Sequence, residues 1–249
     1  MKTLNALLDW KLLKKSHRWP GPDGGTCINE AAIVVAGFEY RSVKSWVDCP
    51  PCFSTVLSAF LISLNDAMGD DCRQSLLRYV LKLPGSADTL KVEHRRFAAL
   101  TDRLCALASG ERHLAWGERL FHLAWGERLF HHEDEEAHCA WHQVEKVAGK
   151  IARLKSVDDE DTVTWLSKQI TYDMADQSGR LVDLAAHSAL KNPSGSQHRE
   201  LLKAIDAAFA IGKQADPIAT EKVEARIAWH KDLANDPVVI EARKADAAQ

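Results

Sequence analysis

Apolar residues recur three and four positions apart along most of the chain, and alternation is confined to one stretch, so the pattern predicts an all-α protein. Leu4, Leu7, Leu8, Leu12 and Leu13 share a face of a first helix that Thr3 caps and that stops before Pro20. Pro20–Gly25 reads as a turn, since its prolines fix φ and its glycines permit positive φ. Thr26 then caps a short helix through Ala36 that Gly37 ends. Phe38, Tyr40, Val43 and Val47 give the one short extended segment expected, over 38–47. The clearest helix carries Phe53, Val56, Leu57, Phe60, Leu61, Leu64 and Met68, with Asp48, Pro50 and Pro51 at its start.

Further helices are expected from the Asp70-Asp71 cap to Pro84-Gly85, from Asp88 to Ala108, and from Ala137 to Leu154. Another runs from Asp161 to about Leu190 with a bend at Ser178-Gly179. Leu201, Leu202, Ile205, Ala208 and Phe209 share a helix, and Asp216-Pro217 opens the next. The resulting architecture is a multi-helix bundle or helical array. The predicted divisions are a helical domain over 1–110, a long-helix region over 111–191 and a C-terminal helical segment over 197–249, with Asn192–Ser196 as a boundary loop.

Composition narrows the function classes. The formal charge of −3, from 32 basic and 35 acidic residues, supplies no overall field for phosphates or anionic lipid, and no nucleic-acid recognition motif is present. Lys11, Lys14, Lys15 and Arg18 form a local basic patch that the end of the predicted first helix explains. No apolar stretch approaches a membrane span, and charges at Asp9, Lys11, Lys14 and Lys15 fall where a signal peptide has its apolar centre. The expected location is the cytoplasm, where Cys27, Cys49, Cys52, Cys72, Cys105 and Cys139 are reduced thiols.

The segments PGPDGGTCINEAA (Pro20–Ala32) and DCPPCFS (Asp48–Ser54), with the helix to about Met68, resemble the opening of a group of uncharacterised bacterial and phage-associated proteins. The similarity spans about residues 9–88. It implies a bacterial or mobile-element origin and carries over no activity.

Two motifs have metal-ligand chemistry. Cys49-Pro-Pro-Cys52 has the spacing that brings two thiolates to one Zn²⁺ or forms a redox disulfide, and Cys139 and His142 are the partners that would complete a Cys3His site. The redox reading lacks the strand and parallel sheet around such a motif, and the prolines are explained by helix initiation. Six of the eleven histidines fall between His113 and His142. His131, Glu135, His138 and His142 line one helical stripe that could chelate zinc or another divalent transition metal. Ala137, Ala140, Trp141, Val144, Val147, Ile151 and Leu154 occupy the opposite face, so the histidines are expected to point away from the core.

His113–Phe121 and His122–Phe130 are the same nine residues, HLAWGERLF. Nine helical residues advance about 900°, which sets the two copies on opposite faces. Leu114, Trp116, Leu120 and Phe121 are therefore expected to form a contact surface, unless the helix breaks at Gly117 or Gly126. With no complete catalytic constellation, the sequence reads as a non-enzymatic helical interaction protein without cofactor, whose partner is another protein or a second copy. A metal-binding protein built on the histidine-rich helix, with or without Cys49 and Cys52, is the alternative.

Overall fold

The computed structural model describes residues 11–17, 25–108, 132–186, 195–213, 216, 218–234, 236–238 and 240–241, and at 132–139, 183–186, 196–197, 230–231 and 233–234 it describes the backbone alone. These residues are about 70% helical. Their sole strand-like pairing is an isolated parallel bridge between Leu12 and Thr26. No described helix is long and apolar enough to cross a membrane. The chain forms two compact units, one from Met1–Ala87 with Lys213–Gln249 and one from Asp88–Gly212. The divisions expected at 110 and 191–197 are thus replaced by divisions at 87 and 212.

The first unit is organised by α1 (Ile28–Ala36), whose residues from Ile28 to Val35 are all buried. It packs against α2 (Thr55–Ala67), α4 (Leu77–Val80) and α9 (Thr220–Ala234). Between α2 and α4 lie α3 (Asp70–Arg73) and a 3-10 turn, Gln74–Leu76. At the end of α1, Gly37 has φ 85 and closes the helix with hydrogen bonds from its N–H to Ile33 and Val34. Arg226 of α9 donates to the Val35 carbonyl at that end.

Three local expectations are corrected. Leu12 and Leu13 do not lie on a helix: residues 11–17 run without helix, with Leu13 N–H donating to Thr26 O at 3.0 Å and Thr26 N–H to Lys11 O at 3.3 Å. Residues 38–45 form no strand; Asp48 accepts from the N–H groups of Lys44 and Ser45, each at 2.9 Å, and folds the chain into a 3-10 turn, Trp46–Asp48. The Cys49–Cys52 motif precedes its helix, because Ser54 supplies the cap, its Oγ accepting from Leu57 N–H at 3.2 Å.

The second unit is a bundle of α5 (Leu90–Ala108), α6 (His132–Leu154), α7 (Glu160–Ala186) and α8 (Ser196–Phe209). α5 packs against the other three, and α6 also packs against α7. Phe97, Leu100 and Leu104 of α5 bury with Val144 and Val147 of α6, Ile170 and Met174 of α7, and Leu201 and Ile205 of α8. Burial of each such side chain contributes about 1.5–3 kcal/mol. α7 runs unbroken through Ser178-Gly179, and the Ser178 hydroxyl donates to Met174 O at 2.6 Å, the back-bonding that accompanies a bend such as the one expected there. The two ends of this unit meet: Arg96, 1% exposed, donates to Ile211 O through Nε at 3.1 Å and Nη2 at 2.9 Å, and pairs with Glu93 at 2.6 Å.

Candidate functional site

Among the described residues of the first unit, a dense polar cluster surrounds Glu30, a carboxylate with no exposed side-chain surface. Cys27, not Thr26, is the N-cap of α1, and Glu30 three residues on reaches back to the Cys27 N–H at 2.8 Å, completing a capping box. The carboxylate also accepts from the N–H groups of His17 at 2.7 Å and Val43 at 3.0 Å. The Thr26 hydroxyl donates to it, and His17 Nδ1 meets it, both at 3.2 Å. Burial alone would raise the Glu30 pKa, but the hydrogen bonds from His17, Cys27 and Val43 outweigh it and hold the carboxyl below its ordinary value. Tyr40 adds a bond from its hydroxyl to His17 O at 3.1 Å. The cluster therefore joins three non-helical stretches to the start of α1 through one buried anion. The sequence signal, Cys-x-x-Glu before an apolar run, has cysteine where serine or threonine marks the usual box.

A cavity of about 170 Å³ adjoins the cluster, with Lys15, Ser16, Cys27, Lys44 and Asp66 in its wall. It is smaller than the roughly 300 Å³ at which small-molecule pockets begin. Its thiol is not activated: burial, then the neighbouring Glu30 carboxylate, push Cys27 well above its ordinary pKa. Cys27, His17 and Glu30 thus stand close together in a structural arrangement, with the carboxylate saturated and the thiol protonated. Lys15 has the left-handed φ of 68, and its N–H donates to Asp66 Oδ1 at 2.6 Å.

None of Cys27, Cys49, Cys52, Cys72 and Cys105 is in a disulfide. Cys49 is extended, with φ −77 and ψ 150, and the turn that follows closes one residue later, Phe53 N–H donating to Pro50 O at 3.0 Å. Burial pushes the Cys49 thiol up although the Asn29 amide, donating to Sγ at 3.2 Å, pulls it down. The two thiols consequently do not share a first helical turn, and burial raises the Cys49 thiol where a reactive cysteine has a lowered pKa.

On α6, Val144 and Val147 are buried while Ala140 and Trp141 pack against Cys105 of α5. His142 is exposed, on the opposite side as expected. The side chains of Glu135, His138 and Cys139, and all of His131, lie outside the described residues, as do Leu114, Trp116, Leu120 and Phe121 of the first repeat copy. Among the described residues no group of three or more His, Cys, Asp or Glu side chains is arranged to hold a metal ion.

The outward face of α7 is the feature of the second unit that the sequence reading missed. Trp165 and Tyr172 are 60% and 55% exposed, and their seven-residue spacing sets them on one stripe. Asp161, Lys168, Gln169 and Arg180, on the same side, are exposed too. The opposite face holds Ile170, Met174 and Leu181 in the core, so α7 is apolar on its inner face and carries aromatics on its outer one. Exposed aromatics at helical spacing are visible in the sequence, but they are indistinguishable there from core positions.

No family model matches the chain, and no curated protein or solved structure matches it.

Proposed function

We propose that the protein is a non-enzymatic helical interaction protein that docks its partner on the outward face of α7. The observation that supports this reading is the pair Trp165 and Tyr172, whose rings stand exposed on one stripe of a bundle helix that already buries its other face. Large aromatics are the side chains that anchor protein interfaces, and two of them on one face are costly to leave in water. The Cys27 thiol and the Glu30 carboxylate support it as well, since burial keeps the first protonated and backbone N–H groups occupy the second.

The test is site-specific photocrosslinking of the full chain in cell extract, with a benzophenone side chain at Trp165 and, as control, at the exposed Lys203 of α8. The expected result is an adduct from position 165 alone. Excess wild-type chain should compete it away, and a chain carrying Trp165→Ser and Tyr172→Ser should not. Equal labelling from both positions, or no adduct from 165, overturns the reading.

A further inference from the structure

We infer that the seat of residues 11–17 is a peptide groove, which the chain fills with its own arm and which takes a basic extended segment of another protein, with leucine at the Leu12 place and glycine at the Lys15 place. This goes beyond the α7 reading and does not depend on it.

The seat reads a backbone. Gln74 pairs with both the N–H and the carbonyl of Leu12, at 3.1 and 3.0 Å. Asn65 donates to Leu13 O at 2.7 Å, and Asp66 accepts from Lys15 N–H at 2.6 Å. Glu30 accepts from His17 N–H at 2.7 Å, and the Tyr40 hydroxyl donates to His17 O at 3.1 Å. Side chains from α1, α2, the Gln74–Leu76 turn and the stretch after Gly37 thus meet main-chain groups that every peptide carries, which is how extended peptides are captured.

The arm's own side chains contribute less. Within 11–17 Leu12 alone is fully buried, while Lys11, Lys14 and Lys15 are exposed; α1, by contrast, buries every residue from Ile28 to Val35. So few buried apolar contacts let the arm open locally while the unit stays folded. The arm is also an imperfect occupant. Lys15 has φ 68, the one left-handed non-glycine residue among those described, and glycine takes that conformation without strain. Lys11 and Lys14 act on the charge of Asp70, and Asp66 lies in the seat itself, so a basic segment suits its rim.

Fluorescence anisotropy tests the groove with a labelled peptide of residues 10–18 and the full chain carrying Leu12→Asp, which unseats the arm. That chain should keep its helical dichroism and bind the peptide at least tenfold tighter than the wild type, whose arm competes. A Lys15→Gly peptide should bind it at least threefold tighter than the unmodified one, and a Leu12→Asp peptide at least tenfold weaker. In the wild-type chain, the amides of Leu12, Lys15 and His17 should exchange hydrogen at least tenfold faster than those of Ile33 and Val34. A folded Leu12→Asp chain that binds no peptide overturns the inference, as does binding indifferent to Leu12→Asp in the peptide or a Lys15→Gly peptide no tighter than the unmodified one. Loss of the fold in the Leu12→Asp chain, or arm amides that exchange together with those of α1, overturns it too, since the arm is then part of the core rather than an occupant.

Discussion

The Gln74 side chain holds the backbone of Leu12 as a neighbouring strand would: Leu12 N–H donates to Oε1 at 3.1 Å, and Nε2 donates to Leu12 O at 3.0 Å. Leu12 is fully buried, so both groups need partners from the protein. Gln74→Ala should therefore cost about 1–3 kcal/mol, the usual penalty for leaving buried polar groups unmatched. Urea unfolding at neutral pH reads this directly, and Gln74→Glu should recover none of the bond to Leu12 O. A change within about 0.5 kcal/mol, typical of an ordinary surface substitution, would show that the segment at Leu12 is held by its other contacts.

Glu30 gives the first unit an acid sensitivity with a defined sign. Its folded pKa lies below the unfolded one, so its contribution is complete above the ordinary carboxylate range and is lost as pH falls through the folded value. Glu30→Gln keeps one acceptor oxygen and turns an NH2 group toward N–H donors, which should cost roughly 3 kcal/mol at neutral pH. The variant's stability should then vary less than the wild type's between pH 5 and the acid transition, as followed by guanidinium unfolding at a series of pH values. Parallel pH profiles for the two proteins would remove Glu30 as the source.

Acid acts on the second unit through His198 of α8, which is buried and whose pKa is lowered by that burial. The folded state favours the neutral ring, so this contribution is complete above the ordinary imidazole value of about 6.5 and declines as pH falls below it. His198→Leu should leave the melting temperature near wild type at pH 7.5 and reduce the loss seen at pH 5.5. An unchanged difference between the two pH values in scanning calorimetry would count against it.

At the end of α1, a Cβ on Gly37 would stand 2.5 Å from the Arg226 guanidinium, on a backbone already at φ 85. Gly37→Ala combines left-handed strain with displacement of that guanidinium and should cost about 1–2 kcal/mol. Gly37→Asn, which tolerates this conformation better, should do less harm on the backbone term. Thermal melts of both variants, with Arg226→Ala as a background that removes the clash, separate the two causes.

Cys105 should resist alkylation in the native protein. Burial, helped by Asp102, pushes it up to about 12, so little thiolate forms at any pH where the protein is handled. Mass spectrometry of iodoacetamide-treated native protein at pH 8.5 should find Cys105 unmodified until denaturant is added. Rapid labelling under native conditions would reveal local opening of the α5–α6 contact.

The helices were legible wherever a face repeats locally. Val144 and Val147 against His142 on α6, and Phe97, Leu100 and Leu104 on α5, follow from a three-four spacing that neighbouring residues fix on their own. Leu12 was misread because its spacing from Leu4 and Leu8 fits a helix, while the groups that decide its conformation, on Thr26 and Gln74, are distant in sequence. The Cys49–Cys52 motif was shifted because two prolines and a serine all mark helix starts, and Ser54 won by reaching Leu57 N–H. Glu30 was missed as a core residue since charge predicts exposure, and only three separate backbone stretches donating to it reverse that rule. Trp165 and Tyr172 were hidden for the opposite reason: aromatic residues predict burial.

The clasp of Arg96 on Ile211 has a consequence for how the protein is made. Because the first and last turns of the second unit are held to each other, that stretch behaves as an insertion whose ends already meet, and it is synthesised whole before Lys213 leaves the ribosome. The first unit cannot finish in the same order, since Arg226 must arrive 191 residues after the Val35 carbonyl it serves. The part of the protein that begins first is thus the part completed last, once its final helix has been synthesised.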